Sequence, residues 1–167
     1  MNARAPFASD AEIEAIAKGL IARTWPKKDW THDCHWAAAF WLLARDGLAA
    51  TSRDMPGMIR SYNEAVGGRN TDTEGYHETI TQASLIVAAR ALADAPGAPL
   101  HTVCNTLCAG PHGRAKWIED HWSPEYLFTP RARREWVDPD RAPLISAPAT
   151  RQVGQIDTRP TRAQPDP

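Results

Sequence analysis

Residues 30–47, with the sequence WTHDCHWAAAFWLLARDG, constrain the fold most because they are apolar on almost every side when read as a helix. A helix of this kind must be surrounded by other elements, and Gly47 is typical of a helix C-terminus. The other apolar patterns also repeat at helical spacing, and no alternation typical of strands is evident. We therefore predict an all-α fold in which this helix is the most buried element.

Further helices are expected to surround this central one and form a four-helix-bundle core. Shorter helical segments follow, and the chain then becomes rich in proline and poor in apolar residues. We predict a single helical domain over residues 1–138, followed by an extended Pro-rich tail over residues 139–167. The other long helices are predicted at about residues 9–25, 54–66 and 73–94.

The composition excludes several classes of function. A formal net charge of −1 gives no electrostatic reason to expect binding to nucleic acid or to an anionic membrane. The longest apolar run, WAAAFWLLA, is far shorter than the roughly 20 residues needed to cross a bilayer. Three cysteines cannot form a closed disulfide framework, and the first ten residues lack a signal-peptide core, so we expect a cytoplasmic protein. No Gly-rich phosphate loop is present, and we expect no nucleotide cofactor.

Three histidines are predicted to face the interior at one end of the bundle. His32 and His35 share one face of the central helix, and His77 falls on the apolar side of the helix predicted over residues 73–94. If the helices alternate up and down, these two run parallel, and a rise of about 1.5 Å per residue places His35 and His77 at one depth. Burial and a nearby helix N-terminus favour neutral imidazole, the form that binds metal or acts as a base.

This arrangement predicts a metal centre formed by His32, His35 and His77. Catalytic zinc and iron sites use three protein ligands and leave one position for water, which the metal converts to a nucleophile. Catalysis would be carried by His35, His77 and Glu78, with Glu78 as acid and base or as a partner of the ligands. We therefore predict an enzyme that performs hydrolysis or transfer on a small polar metabolite with a divalent metal, zinc or iron. The residues expected to shape the substrate pocket are Trp30, Tyr62, Asn63, Asp72 and Tyr76.

The segment before the second histidine helix, NTDTEG at residues 70–75, has oxygen-bearing side chains at the spacing of a calcium loop. Such a loop needs a bidentate Glu at its twelfth position, where this chain has Thr81. We therefore predict that the segment does not bind calcium and caps the following helix through Asp72 or Thr73, with Thr71 and Glu74 as an alternative capping box.

The alternative interpretation is a non-catalytic module that binds a small molecule or assembles with copies of itself. A buried histidine is commonly hydrogen-bonded within a core and has no role in catalysis. In this interpretation the tail, residues 139–167, lies on a neighbouring subunit of a homo-oligomer. Metal-free acid–base catalysis by His35, His77 and Glu78 is a third possibility.

Three stretches, WTHDCHW, YNEAVGGRNTDTEGYHETIT and SPEYLFTPRARREWVDPDRAPL, resemble a family of small bacterial proteins over about residues 30–145. That resemblance implies an all-helical fold with a His-pair helix, and it implies no particular activity. In architecture the chain is also similar to the DinB-type metal-dependent four-helix proteins, in which three histidines bind a divalent metal at one end of the bundle. In that group the closely spaced pair lies on the fourth helix, whereas here the pair lies on the second. This similarity implies a thiol-transferase or hydrolase type of activity.

Overall fold

The computed structural model describes residues 6–145, and within that range the protein has six α-helices, three short 3₁₀ helices and no β-strand. The prediction of an all-α fold is confirmed, whereas a four-helix-bundle core is not. No helix in the described range is long and apolar enough to cross a membrane. The α-helices are α1 (Asp10–Ala22), α2 (His32–Ala65), α3 (Glu78–Asp94), α4 (Leu100–Ala109), α5 (Pro124–Leu127) and α6 (Pro130–Arg134), and the 3₁₀ helices are Lys27–Asp29, Pro111–Gly113 and Trp117–Asp120.

Helix α2 consists of two helical segments that meet at Gly47, whose φ of 77° and ψ of 170° are not helical. Glycine adopts positive φ at no steric cost, so the predicted end of the central helix at this residue is confirmed. The second segment starts directly after the break, several residues before the predicted start at 54. It contains Pro56, which has no N–H to offer the carbonyl of Ser52 four residues earlier. That carbonyl instead accepts a hydrogen bond from the Gln82 side chain of α3, at 3.0 Å. The missing N–H of the proline therefore leaves an acceptor that joins α2 to α3.

The core lies where α1 and α3 pack against α2. Residues 36–40 of α2 are almost completely inaccessible to solvent, as the sequence predicted for this stretch. Burying a large apolar side chain of this kind contributes about 1.5–3 kcal/mol relative to leaving it exposed. The buried apolar residues of the two neighbouring helices include Ile13, Ile16, Ala17 and Leu20 of α1 and Ala83, Leu85 and Ala88 of α3.

The short C-terminal helices are attached to the start of α3 by buried hydrogen bonds. The Thr79 hydroxyl donates to the carbonyl of Ala132 at 2.8 Å, and it accepts from the backbone N–H of Val137 at 3.2 Å. The Trp122 indole donates to the carbonyl of Val137 at 3.1 Å. These bonds bring residues distant in sequence to the N-terminus of α3.

The predicted tail begins as part of the folded body. Its Asp140 carboxylate accepts hydrogen bonds from the backbone and hydroxyl of Ser123, and Arg141 donates to the carbonyl of Glu119. Residues 146–167 lie outside the described residues. A homo-oligomer formed through this part of the chain therefore stays a prediction.

Candidate functional site

The two motifs that predicted a functional site meet at a cavity of about 180 Å³ between α2 and α3. The motif WTHDCHW provides two imidazoles and an indole at the start of α2, and the motif HETIT provides the first turns of α3. The second segment of α2 and the 3₁₀ helix at 117–120 close the remaining sides. The described lining residues are His32, His35, Trp36, Ala39, Met55, Ile59, Ile80, Thr81, Ser84, Leu85 and Trp117. The cavity is therefore mainly apolar, with two imidazoles and two hydroxyls on its walls.

His77 does not line this cavity, because it is the N-cap of α3 and precedes the first helical turn. Its Nδ1 accepts a hydrogen bond from the backbone N–H of Ile80 at 3.4 Å, and its Nε2 lies 3.0 Å from the carbonyl oxygen of Leu127. A carbonyl can only accept, so Nε2 carries the proton and Nδ1 provides the lone pair. Both ring nitrogens are thus bonded within the protein, and the residue is 6% exposed. A metal or substrate can reach either nitrogen only after one of these bonds breaks.

The predicted start of α3 near residue 73 was wrong because residues 70–75 form a hydrogen-bonded loop. The Asn70 side chain accepts from the backbone N–H of Tyr76 at 3.2 Å and donates to the carbonyl of Arg60 at 3.1 Å. Gly75 has a φ of 78°, and a Cβ there would lie 2.0 Å from the carbonyl oxygen of Arg69. No other residue type fits this turn without a shift of the backbone. Because of this loop, α3 begins only at Glu78, and His77 is its N-cap residue.

The predicted caps of α3 have other roles. Asp72 pairs through both carboxylate oxygens with the Arg134 guanidinium of α6. The Thr71 hydroxyl accepts from the backbone N–H groups of Thr73 and Glu74. The loop is therefore held by its own side chains and by α6. The histidine that follows accepts from Ile80, one of the first four N–H groups of the helix that lack an intrahelical partner.

His32 lies between two possible partners for one ring nitrogen. Its Nε2 lies 3.1 Å from the Trp36 indole nitrogen and 3.0 Å from the carbonyl oxygen of His112. The same nitrogen cannot accept from the indole and donate to the carbonyl in one neutral tautomer. His32 can therefore change tautomer at the cost of exchanging one internal hydrogen bond for the other.

His35 makes no hydrogen bond with any residue that the structure describes. Its ring packs against Trp30 with centroids 4.6 Å apart, and part of the side chain is exposed at the cavity mouth. Desolvation by the surrounding protein, together with His32, lowers the pKa of His35, and the exposed edge limits this effect. Burial lowers the pKa of His77 to about 4, against the opposing effect of its bond to Leu127. Both imidazoles are neutral at pH 7, and of these two residues only His35 has ring nitrogens that are free of internal hydrogen bonds to the described residues.

Two of the residues expected to shape the pocket form a wall behind His35. The Tyr62 hydroxyl donates to the carbonyl of Trp25 at 3.0 Å, and its ring lies 5.0 Å from that of Trp30. The Trp30 indole N–H is buried and has no hydrogen-bond partner among the described residues. These aromatic rings orient His35 by packing, but they do not line the cavity.

The other predicted site residues form a network at the N-terminus of α3. The Tyr76 hydroxyl donates to the Glu78 carboxylate at 2.6 Å, and the same carboxylate accepts from Gln82 at 3.0 Å. Burial, followed by this bond to the carboxylate, raises the pKa of Tyr76. Asn63 donates to the side chain of Asn70 at 3.0 Å. The Glu78 carboxylate thus accepts hydrogen bonds from two side chains, and its catalytic role stays a prediction.

Sequence reasoning missed the cavity residues that lie outside the histidine motif. Thr81 and Ser84 share the apolar side of α3, and their helical spacing indicated only core packing. Trp117 comes from a distant segment, and no local pattern connects it to the start of α2. The side chain of Trp36 was expected to be buried, but its hydrogen bond to His32 depends on the rotamers of both residues.

The predicted three-histidine metal centre stays a prediction. Within residues 6–145, no group of three or more His, Cys, Asp or Glu side chains is placed to hold a metal ion. The donor set fits a metal poorly as arranged, because His77 uses both ring nitrogens for internal hydrogen bonds. His32 and His35 alone would give two ligands, one fewer than catalytic zinc sites use.

Comparison with known proteins assigns no family to the chain. No protein-family model, no curated protein and no solved structure matches it. The resemblances to the small bacterial helical family and to the DinB-type proteins therefore stay expectations. Any functional assignment depends on the geometry of the cavity itself.

Proposed function

We propose that this protein binds a small molecule in the cavity between α2 and α3, without a metal, and that His35 and His32 are its polar contacts. The observation that carries the proposal is the state of His35. Its imidazole is neutral, makes no hydrogen bond to the described residues and lies at the mouth of a mainly apolar cavity. Most ligand sites combine an apolar wall with a few polar groups that fix orientation, which is the composition found here.

The cavity limits the size and charge of the ligand. Its volume of about 180 Å³ is below the roughly 300–1,000 Å³ of sites for drug-sized molecules, so the ligand is compact. No Lys or Arg is among the described lining residues, and an anion would enter without a counter-charge. The favoured ligand is a neutral molecule with an apolar body and one group that exchanges a hydrogen bond with neutral imidazole.

The two hydroxyls on the α3 side can add specificity. The Ser84 hydroxyl donates to the carbonyl of Ile80 at 2.8 Å, so it can only accept a hydrogen bond from a ligand. The Thr81 hydroxyl lies in the same wall. A ligand that donates to Ser84 and contacts His35 with a second polar atom would use both sides of the cavity.

The test is a screen of neutral fragments of up to about 12 heavy atoms, chosen for a cavity smaller than the usual range. Binding would be followed by the NMR shifts of the imidazole ¹⁵N nuclei in the full chain. We expect a saturable shift of His35, and loss of binding in His35→Phe, which preserves the packing on Trp30 but removes both nitrogens. The matched control is His101→Gln, a histidine outside the cavity that pairs with Asp10. Unchanged affinity in His35→Phe, or no saturable ligand, would overturn the proposal.

Metal-dependent hydrolysis or transfer at His32, His35 and His77 is the second proposal, supported by the two imidazoles, His32 and His35, that share one cavity. It requires His77 to give up a hydrogen bond on binding the metal. Elemental analysis of chelator-free protein for zinc and iron distinguishes the two. About one equivalent of metal that disappears in His77→Asn, a residue that can still cap the helix, would favour the metalloenzyme. Metal-free protein that binds the same fragments would favour the first proposal.

A further inference from the structure

A second and larger cavity, of about 520 Å³, lies between α3 and α4. It has no described lining residue in common with the histidine cavity. Its volume falls within the roughly 300–1,000 Å³ typical of small-molecule sites. The described residues that line it are Val87, Arg90, Ala91, Asp94, Ala95, Ala98, Thr102, Val103, Thr106, Leu107, Gly110, Pro111, His112, Leu144 and Ile145.

The charges at this cavity cancel. Arg90 and Asp94 are the fixed charges among its described lining residues, and they pair with each other at 2.8 Å, one helical turn apart. Because these two charges neutralise each other, the cavity offers no net charge to an anionic or a cationic ligand. The other α3 residues in the lining, Val87 and Ala91, are apolar, so a ligand would meet apolar surface on this wall beside the ion pair. Charge complementarity therefore selects a neutral, mainly hydrocarbon molecule.

The His112 imidazole is a polar group in the lining that is available for a hydrogen bond. The His112 ring nitrogens make no hydrogen bond to the residues described, although its backbone carbonyl lies 3.0 Å from His32. The ring packs against Trp117 with centroids 5.0 Å apart, and against Trp36 at 6.3 Å. Burial lowers the pKa of His112, so its imidazole is neutral at pH 7. A neutral imidazole can accept a hydrogen bond from a hydroxyl or donate one to a carbonyl.

We propose that the cavity between α3 and α4 binds a neutral, mainly hydrocarbon molecule that carries a single hydroxyl or carbonyl group. The hydrocarbon part lies along the apolar surface of Val87 and Ala91 of α3, and the polar group reaches His112. This site is separate from the histidine cavity, and its existence does not depend on the function proposed for that cavity.

The test uses the full chain and a neutral environment-sensitive dye, Nile red, displaced by ligands that share one carbon chain. We expect 1-decanol to displace the dye. Decanoate and decylamine should bind about tenfold more weakly or worse, since each charged group would lose hydration in a cavity that offers no net counter-charge. Replacing Ala91 by Trp fills the cavity from α3 and is expected to weaken dye and decanol binding by about tenfold or more. The matched control is Ala93→Trp on the exposed side of the same helix, which should bind as the unchanged chain does.

A second filling variant, Thr102→Trp, closes the cavity from the α4 side and gives the same readout if Ala91→Trp does not fold. Equal binding of decanoate and decanol, or unchanged dye binding in the filling variants, would overturn the proposal. If instead the chain is dimeric on gel filtration, binds no dye and becomes monomeric in Ala91→Trp, then a second copy covers this surface. That result would also overturn the proposal.

Discussion

Replacing His77 by alanine is expected to lower the free energy of unfolding by about 2–4 kcal/mol. The substitution removes the cap on the Ile80 N–H, which is worth about 0.5–2 kcal/mol. It also leaves the carbonyl of Leu127 without its partner in a site where the histidine is 6% exposed. An unsatisfied buried polar group costs about 1–3 kcal/mol. The two contributions arise on opposite sides of one ring, so we add them and take the middle of the range.

The measurement is equilibrium unfolding in urea, followed by far-UV circular dichroism and by tryptophan fluorescence. A loss of this size corresponds to a decrease in Tm of roughly 4–16 °C for a chain of this length. His77→Asn should recover part of the loss, because asparagine is a good N-cap but is too short to replace the ring at Leu127. The control is His35→Ala, an exposed histidine without a described hydrogen bond, which should cost less than about 1 kcal/mol. A His77→Ala variant as stable as His35→Ala would refute the capping role.

Two further predictions concern stability. Because the pKa of His77 is lowered from 6.5 to about 4 in the folded protein, the unfolded state binds the proton more readily between these pH values. The contribution of neutral His77 to the free energy of unfolding should be complete above pH 6.5 and should decrease as the pH falls from about 6.5 to 4. Urea titrations at several pH values measure this slope, which His77→Asn should reduce. Gly75→Ala should destabilise by more than about 2 kcal/mol, since it combines a positive φ with a Cβ 2.0 Å from the Arg69 carbonyl oxygen. The matched control, Gly57→Ala, lies in a helix with open space around the new Cβ and should stabilise by about 0.5–1 kcal/mol. Equal melting temperatures for the two glycine variants would contradict the argument.

The sequence by itself determined the helical class, the buried central helix and its break at Gly47. Each of these depends on local information: the spacing of apolar residues, or the ability of glycine to adopt positive φ. It also correctly placed His32 and His35 together, because residues three apart on a helix share a face whatever surrounds them.

Only the tertiary structure decided the role of His77. Its Nε2 partner is a carbonyl 50 residues later in the chain, and no local pattern connects the two. The turn at Gly75 also depends on a close approach between backbone atoms that residue type alone does not reveal. Helical periodicity was therefore extended through residues 73–77, where a hydrogen-bonded loop and a distant carbonyl compete with the helix. His77, which was predicted to belong to a catalytic site, caps the N-terminus of α3. His35, which has no hydrogen-bond partner among the described residues, lines the cavity.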